Sequence, residues 1–432
     1  MIWIWIIAAI VVSLFFIQDR INWYHYIWIL LPIEMYGIKL LGAVIKPYML
    51  FGLVIVAYVL LRDNNLYRLP KSIIVIFMLI LSSDVINGLI KESIMQHIMF
   101  AIVVVIAISY VKIQENGIEI EQIEKIVIAT TIGYGLIFSM AFAAHLNGIN
   151  IEGIASLERM SPGIVMNFIS TGGVNTFRLR GFCIDPNAVV TTLIPGATCA
   201  LANLMYVKHK QVRSILAVGL FVNVVVCSGS RMGVICTIAM VIGAIYIGYK
   251  RTENTKSWIM TSTLILSIII LLMIFESDVI ICNIEKWIND FVNSRASIAS
   301  EDGRLTIWKT NMLYLIDNCK IFTGVGQNQI YLLSPIGLAC HNTWLEWICG
   351  TGVIIGNIIN MWILFAPISF YKRIKKLRKD TGDRLVSFII AYIITLLCIT
   401  TIDNITNSIV IFLLIIFRYG KVTDADSLKG NI

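Results

Sequence analysis

The chain has 432 residues, of which 58% are hydrophobic and only 14% charged. A soluble protein of this length carries about a quarter charged residues, so a water-soluble enzyme is excluded as a class. The formal net charge of +8 is gathered in short loops between apolar runs, the pattern of membrane insertion and not the footprint of a nucleic-acid surface.

Apolar runs of about 18–20 residues recur, each long enough to cross a hydrocarbon core of roughly 30 Å as a helix. Backbone amides find no water there, so helices are the expected solution. The opening stretch MIWIWIIAAIVVSLFFIQDR lacks a basic leader and a small-residue cleavage site and reads as a retained span. About twelve spans are expected, near 2–17, 45–62, 71–90, 93–111, 124–146, 187–206, 212–228, 232–249, 258–275, 344–370, 385–402 and 406–418. Residues 24–44 are interrupted by Pro32, Glu34 and Gly37; they read equally as a re-entrant or interfacial segment and as a further span.

Four clusters set the sidedness: Arg62, Arg68 and Lys71; Lys208, Lys210 and Arg213; Lys250, Arg251 and Lys256; and YKRIKKLRKDTGDR at 371–384. All four fall on one face under the twelve-span count, which makes that face cytoplasmic and puts both termini inside. Two long loops, 147–186 and 276–343, then lie outside, and loops of this length in a compact bundle carry function when they are ordered. In the second, Ile284, Trp287, Ile288, Phe291 and Val292 repeat at helical spacing, as do Leu305, Trp308, Met312 and Leu315, so short amphipathic helices along the membrane surface are expected. The chain divides into an N-terminal bundle (1–146), a core with the two outer loops (147–370), and a basic loop with the last two spans and a short tail (371–432).

The nine cysteines show neither CxxC nor metal-type spacing with histidine; Cys282 and Cys319 share the second loop and are read as unpaired. Asp84 and Asp403 sit near outer helix ends and read as structural, while His97 and His145 stand isolated. P-loop, dinucleotide-binding and zinc patterns do not occur, so no metal and no cofactor is expected, nor any site for a nucleotide-activated sugar.

Four polar stretches converge at the outer boundary: FRLRGFCIDPNAVV with Arg178, Arg180, Asp185 and Asn187; CSGSRMG with Ser228, Ser230 and Arg231; DGRLTIW with Arg304, followed by TGVGQN with Gly324 and Gly326; and HNTWLE with His341, Asn342 and Glu346. Arginine offers a planar fork that matches phosphate oxygens and stays charged, and beside a span it needs a compensating partner. A lipid-linked diphosphate, with its tail in the bilayer and its charge at the interface, is such a partner. His341 stands at a helix start, which favours a nearby anion and a neutral imidazole. Each residue also has a plainer reading. Arg231 suits a snorkelling anchor, Arg178 and Arg180 a surface pair, Arg304 a solvated helix start, and His341 a packing or capping residue. Asp185-Pro186-Asn187 is a good helix start, Glu346 suits an i,i+4 bond to Asn342, and the two glycines suit turns.

Taken in order, R-x-x-G-x-x-x-D-P-N ending at Asn187, S-G-S-R-x-G (Ser228 to Gly233), G-R-x-x-x-W (Gly303 to Trp308), G-x-G and H-N-T-W-L-E-x-x-x-x-x-G (His341 to Gly352) resemble the O-antigen ligase and O-antigen polymerase superfamily of bacterial surface-glycan enzymes. The ordered motifs cover roughly 175–352. The resemblance implies an all-α polytopic, GT-C-like, metal-independent glycosyltransferase of the bacterial cytoplasmic membrane, with its site outside. The implied donor is an undecaprenyl-diphosphate-linked glycan in membrane lipid, and flippase and chain-length regulator proteins are the implied partners. It assigns the diphosphate to Arg180, Arg231 and Arg304, with Arg178 competing for the first role, and transfer to His341. Asp185, Asn187, Ser230, Asn342 and Glu346 complete the substrate site. Polymerisation of repeat units is the preferred reading; ligation of the glycan to lipid A-core, teichoic acid or protein is the alternative, and a transporter or flippase of the same lipid is the rival from another class.

Overall fold

The computed structural model describes residues 2–17, 20–40, 43–62, 69–88, 91–114, 117–147, 179–183, 185–206, 211–251, 304–327, 329–335, 337–374, 379–401 and 407–422, with four short strand segments between 157 and 176. The helices are α1 (Ile2–Phe15), α2 (Pro47–Arg62), α3 (Lys71–Ile86), α4 (Lys91–Ile113), α5 (Ile120–Leu146), α6 (Pro186–Tyr206), α7 (Gln211–Ser228), α8 (Arg231–Arg251), α9 (Arg304–Asp317), α10 (Thr343–Thr351), α11 (Val353–Leu364), α12 (Ala366–Ile374), α13 (Lys379–Cys398) and α14 (Ser408–Tyr419). Among the described residues, four stretches are long and apolar enough to cross a membrane: Ile94–Ile113, Ile120–Ala144, Pro186–Leu204 and Val353–Ile374. The remaining apolar helices are shorter. The span expected at 258–275 and the helix expected at 284–297 lie outside the described residues, as do Cys282 and Asp403.

One apolar core runs from Ile6 to Phe417, built on α5, α6, α7 and α13. Small residues let these helices approach closely, as in other membrane bundles. A Cβ on Gly133 would overlap Ser13, and one on Gly196 would overlap Thr131 and the Val127 carbonyl.

Among the described residues, arginines from three of the four basic clusters lie toward one end of this bundle. Arg384 lies 3.7 Å from Glu124, and Arg373 donates to the Gly420 carbonyl at 2.8 Å. Arg213 lines a crevice with Phe16, Glu124 and Lys125, and Arg62 lies over the Tyr58 ring, which itself packs on Trp23.

The N-terminal topology differs from expectation. Ser13 meets Gly133, Phe16 and Ile17 line the crevice beside Glu124, and Asn22 N donates to Gln122 Oε1 at 2.7 Å. Helix α1 therefore runs antiparallel to α5 and ends, rather than begins, at the basic end. The ambiguous segment then climbs back: His25 lies 2.8 Å from Glu119, the Tyr134 hydroxyl donates to the Ile29 carbonyl at 2.7 Å, and Met35 N donates to the Phe182 carbonyl at 3.0 Å. Phe182 packs on Phe138, and Glu119 and Phe138 are separated by roughly 28 Å of helical rise. Residues 25–35 run along α5 through the short helix Ile27–Leu30 and a turn closed by Ile33 N on the Leu30 carbonyl at 3.1 Å, with the His25 and Phe182 side chains reaching the two ends. The segment packs lengthwise on α5, and α1 begins at the end opposite the basic side chains.

Three hairpins were not anticipated. Residues 38–40 pair antiparallel with 43–45 (Ile38↔Ile45), 157–158 with 165–166 (Leu157↔Met166), and 169–171 with 174–176 (Ile169↔Thr176). The last carries a legible signal in the sequence alone, since a Gly-Gly pair at 172–173 is a dipeptide that favours a two-residue hairpin connection.

Candidate functional site

The first polar group lies at the end remote from the basic loops, where α6 and α8 begin. Asp185 caps α6, its Oδ1 accepting the Asn187 N–H at 2.6 Å, with Pro186 as the first helical residue. Ser230 donates through its hydroxyl to Asn187 Oδ1 at 2.5 Å and accepts the Gly233 N–H at 2.9 Å. One hydroxyl thus caps α8 and fastens it to the start of α6. Arg231 is the first residue of α8 and leaves the backbone at that junction; its side chain, like the whole of Arg178, lies outside the described residues. Ser228 donates to the Val225 carbonyl at 2.8 Å, closing the preceding helix.

Arg180 is fully buried. Its Nη1 donates to Met35 Sδ at 3.3 Å, so the end of segment 25–35 forms part of its enclosure. Neighbouring Cys183 donates to the Pro32 carbonyl at 3.6 Å. Burial pushes its thiol well above the usual range, which leaves it a packing group and not a nucleophile.

The second group is a module with its own small core of Leu315, Val325, Ile330, Cys340 and Cys349, with Trp308 and Met312 packed against it. The expected face of α9 holds for Trp308, Met312 and Leu315, but Leu305 is 62% exposed. The buried stripe includes Asn311, a polar residue that apolar periodicity passes over, and that rotates the stripe away from Leu305. Asn311 accepts the Ser334 hydroxyl at 2.5 Å and donates to the Leu338 carbonyl at 3.3 Å. Trp308 Nε1 donates to the Cys340 carbonyl at 2.7 Å. Arg304, the first residue of α9, precedes Trp308 by about one turn, so its backbone lies near the histidine segment; its side chain lies outside the described residues.

His341 is half-buried and has φ +48°, a left-handed backbone that a non-glycine residue adopts at a cost of about 1–3 kcal/mol. Its neighbours hold it there. The Cys340 carbonyl takes the Trp308 indole, and the Cys340 N–H donates to buried Glu346 at 3.3 Å. Asn342 caps α10, accepting the Trp344 and Leu345 N–H groups at 3.0 and 3.2 Å. Glu346 Oε2 thus reaches back to the Cys340 N–H while Asn342 Oδ1 takes the first amides of α10. Trp308→Phe, which keeps the packing and removes the indole donor, is expected to cost about 1 kcal/mol. It should also speed hydrogen exchange at residues 340–342, read by mass spectrometry.

The glycines of both motifs form one backbone lock. Val325 N donates to the Cys349 carbonyl and Gly326 N to the Gly350 carbonyl, both at 2.9 Å, while Val353 N donates to the Ile321 carbonyl at 2.8 Å. At Gly352 (φ +84°) the chain reverses, and Asn360 Nδ2 of α11 reaches the Trp344 carbonyl at 3.0 Å. The two groups are neighbours rather than one contact cluster. Between them lies the turn Ile399–Thr401, which packs against both α6 and α10, and the adjoining Cys398 Sγ donates to the Asn187 carbonyl at 3.7 Å.

Sequence reasoning missed the grip of the N-terminal helices on this module. Asp84 Oδ1 accepts the Gln327 N–H at 2.8 Å, and its other oxygen meets His97 Nε2. A polar residue at each of two facing helix ends was the only available signal.

Residues 216–358, about a third of the chain, match the sequence model of a family described as O-antigen ligase. No curated protein matches the chain.

Proposed function

We propose that this chain, which carries an O-antigen ligase family domain at 216–358, polymerises undecaprenyl-diphosphate-linked repeat units on the outer face of the bacterial cytoplasmic membrane. Members of the family transfer glycosyl groups, and they act on lipid-linked glycans in the membrane. The observation that carries the reading is the fixing of His341 at the capped start of α10, inside the matched domain. In the same part of the bundle two further helices, α6 and α8, begin under side-chain caps. Helix N-termini favour anions through the aligned peptide dipoles, and Arg231 and Arg304 are each the first residue of a helix.

In the proposed reaction an acceptor hydroxyl of one repeat unit attacks the anomeric carbon of the glycan on another lipid. The new C–O bond forms as the bond to the diphosphate breaks, and undecaprenyl diphosphate leaves with the electron pair. His341 takes the hydroxyl proton. Arg180, Arg231 and Arg304 match the charge that grows on the leaving group, with Arg178 in reserve for the first role. Asp185, Asn187, Ser230, Asn342 and Glu346 shape the site by holding the helix starts. The GT-C-like arrangement, the independence of metal, the domain limits and an association with flippase and chain-length regulator proteins all belong to this proposal, as does the cytoplasmic placement of the basic end.

Purified protein in liposomes, supplied with undecaprenyl-diphosphate-linked repeat units, is expected to yield a ladder of longer lipid-linked glycans. Arg231→Ala should slow it roughly 10²–10³-fold. Intact units that merely change leaflet would mean a transporter, and glycan that appears only on added lipid A-core would mean a ligase.

A further inference from the structure

Helices α3 and α4 lie outside the matched domain, yet the end of α3 grips its glycine loop. Ser83 donates to the Thr323 carbonyl at 2.5 Å and to the Gly350 carbonyl at 3.1 Å. Asn87 Nδ2 donates to the Thr323 carbonyl at 3.2 Å, and Lys320 Nζ donates back to Asn87 Oδ1 at 2.8 Å. These contacts attach the loop through its carbonyls. Asp84 does something different, because it takes an N–H, that of Gln327, immediately after Gly326. It thereby sets the peptide plane at the second glycine of G-x-G. Gly326 has φ +96°, a backbone that favours glycine, and a Cβ there would also lie 3.1 Å from Asp84 Oδ1. Asp84 and His97 are only 2% and 5% exposed. A buried carboxyl group needs hydrogen-bond partners, and the Gln327 N–H and His97 Nε2 supply them.

The plane so fixed controls the far end of α10. Gly326 N and Val325 N are bonded to the Gly350 and Cys349 carbonyls in its last turn, and His341 precedes its first. The helix has nine residues, so it is about 13 Å long, and a tilt of about 5° at Gly350 displaces its start by roughly 1 Å. A misplacement of that size costs about 10²-fold in rate when a reacting group is moved.

We propose that the buried Asp84–His97 pair is a positioning unit for transfer, which aims His341 by fixing the Gly326–Gln327 peptide and, through it, the tilt of α10. The inference rests on the reading of His341 as the reacting imidazole. Two measurements on the full-length protein test it: transfer kinetics with undecaprenyl-diphosphate-linked repeat units, and backbone hydrogen exchange. Asp84→Ala is expected to lower kcat about 10–100-fold with KM within about twofold. It should speed exchange at 325–327 and 340–345 and leave α7 unchanged. Asp84→Asn should restore both readings, since its amide accepts from Gln327 and donates to a neutral imidazole; His97→Ala should move both in the direction of Asp84→Ala. Unchanged exchange at 325–327, a loosened loop with undiminished kcat, or a rise in exchange shared by α7 would each overturn the proposal. A His341→Ala variant that transfers normally would overturn the function instead, and the exchange data would still report on the Asp84 grip.

Discussion

Replacing His341 with alanine is expected to abolish long glycan chains while the protein stays at wild-type level in the membrane. Loss of a positioned proton acceptor slows transfer by roughly 10²–10⁴-fold. The fold should tolerate the change. The backbone at 341 is held by Trp308 and Glu346 through Cys340 and by the Asn342 cap, none of which involves the imidazole. Alanine at φ +48° faces the same left-handed penalty as histidine, so the stability difference should be small. Glycan electrophoresis together with quantification of the protein in membranes separates the two effects. A normal ladder from this variant would remove His341 from the chemistry.

Gly352→Ala is expected to fail for a different reason, by opening the hairpin between α10 and α11. A Cβ there would fall 2.0 Å from the Phe322 carbonyl oxygen, a backbone atom with no rotamer to change. The position also has φ +84° and ψ 164°, a region that only glycine occupies readily, at a cost to other residues of about 1–3 kcal/mol. Overpacking adds roughly 1–3 kcal/mol. Limited proteolysis in membranes should show new cleavage between 304 and 352, and transfer should fall with it. Gly350→Ala is the control: its nearest neighbour is Gln327 Cα at 3.2 Å and its φ is not positive, so a milder loss is expected. Equal resistance of both variants to protease would argue against the lock.

The divergence between sequence and structure follows the range of the interactions. The start of α6 was legible because capping is local, Asp185 reaching the amide two residues on; at α10 the capping residue is Asn342 and not His341. Arg62, Arg213, Arg373 and Arg384 could be grouped from the sequence because loop charge is a local record of insertion. The direction of α1 was not legible. The alternation of sides depends on whether residues 24–44 cross, and an interrupted run with Pro32 and Glu34 carries too few helical turns to be counted as a span. Its contacts with Glu119, Tyr134 and Phe182 lie along the length of α5 and are made between residues far apart in the chain.

By itself the sequence determined a helical membrane protein, the order of its motifs, the cap that begins α6, and the resemblance that the match at 216–358 upholds. Each of these is written in composition or in neighbours along the chain. Only the tertiary structure decided that Ser230 fastens α8 to α6, that Trp308 and Glu346 hold the peptide before His341, and that Asp84 grips the loop at Gln327. The last of these bonds joins residues 243 positions apart. Such bonds exist because packing brings distant backbones within hydrogen-bond reach, and no periodicity in the chain encodes that meeting.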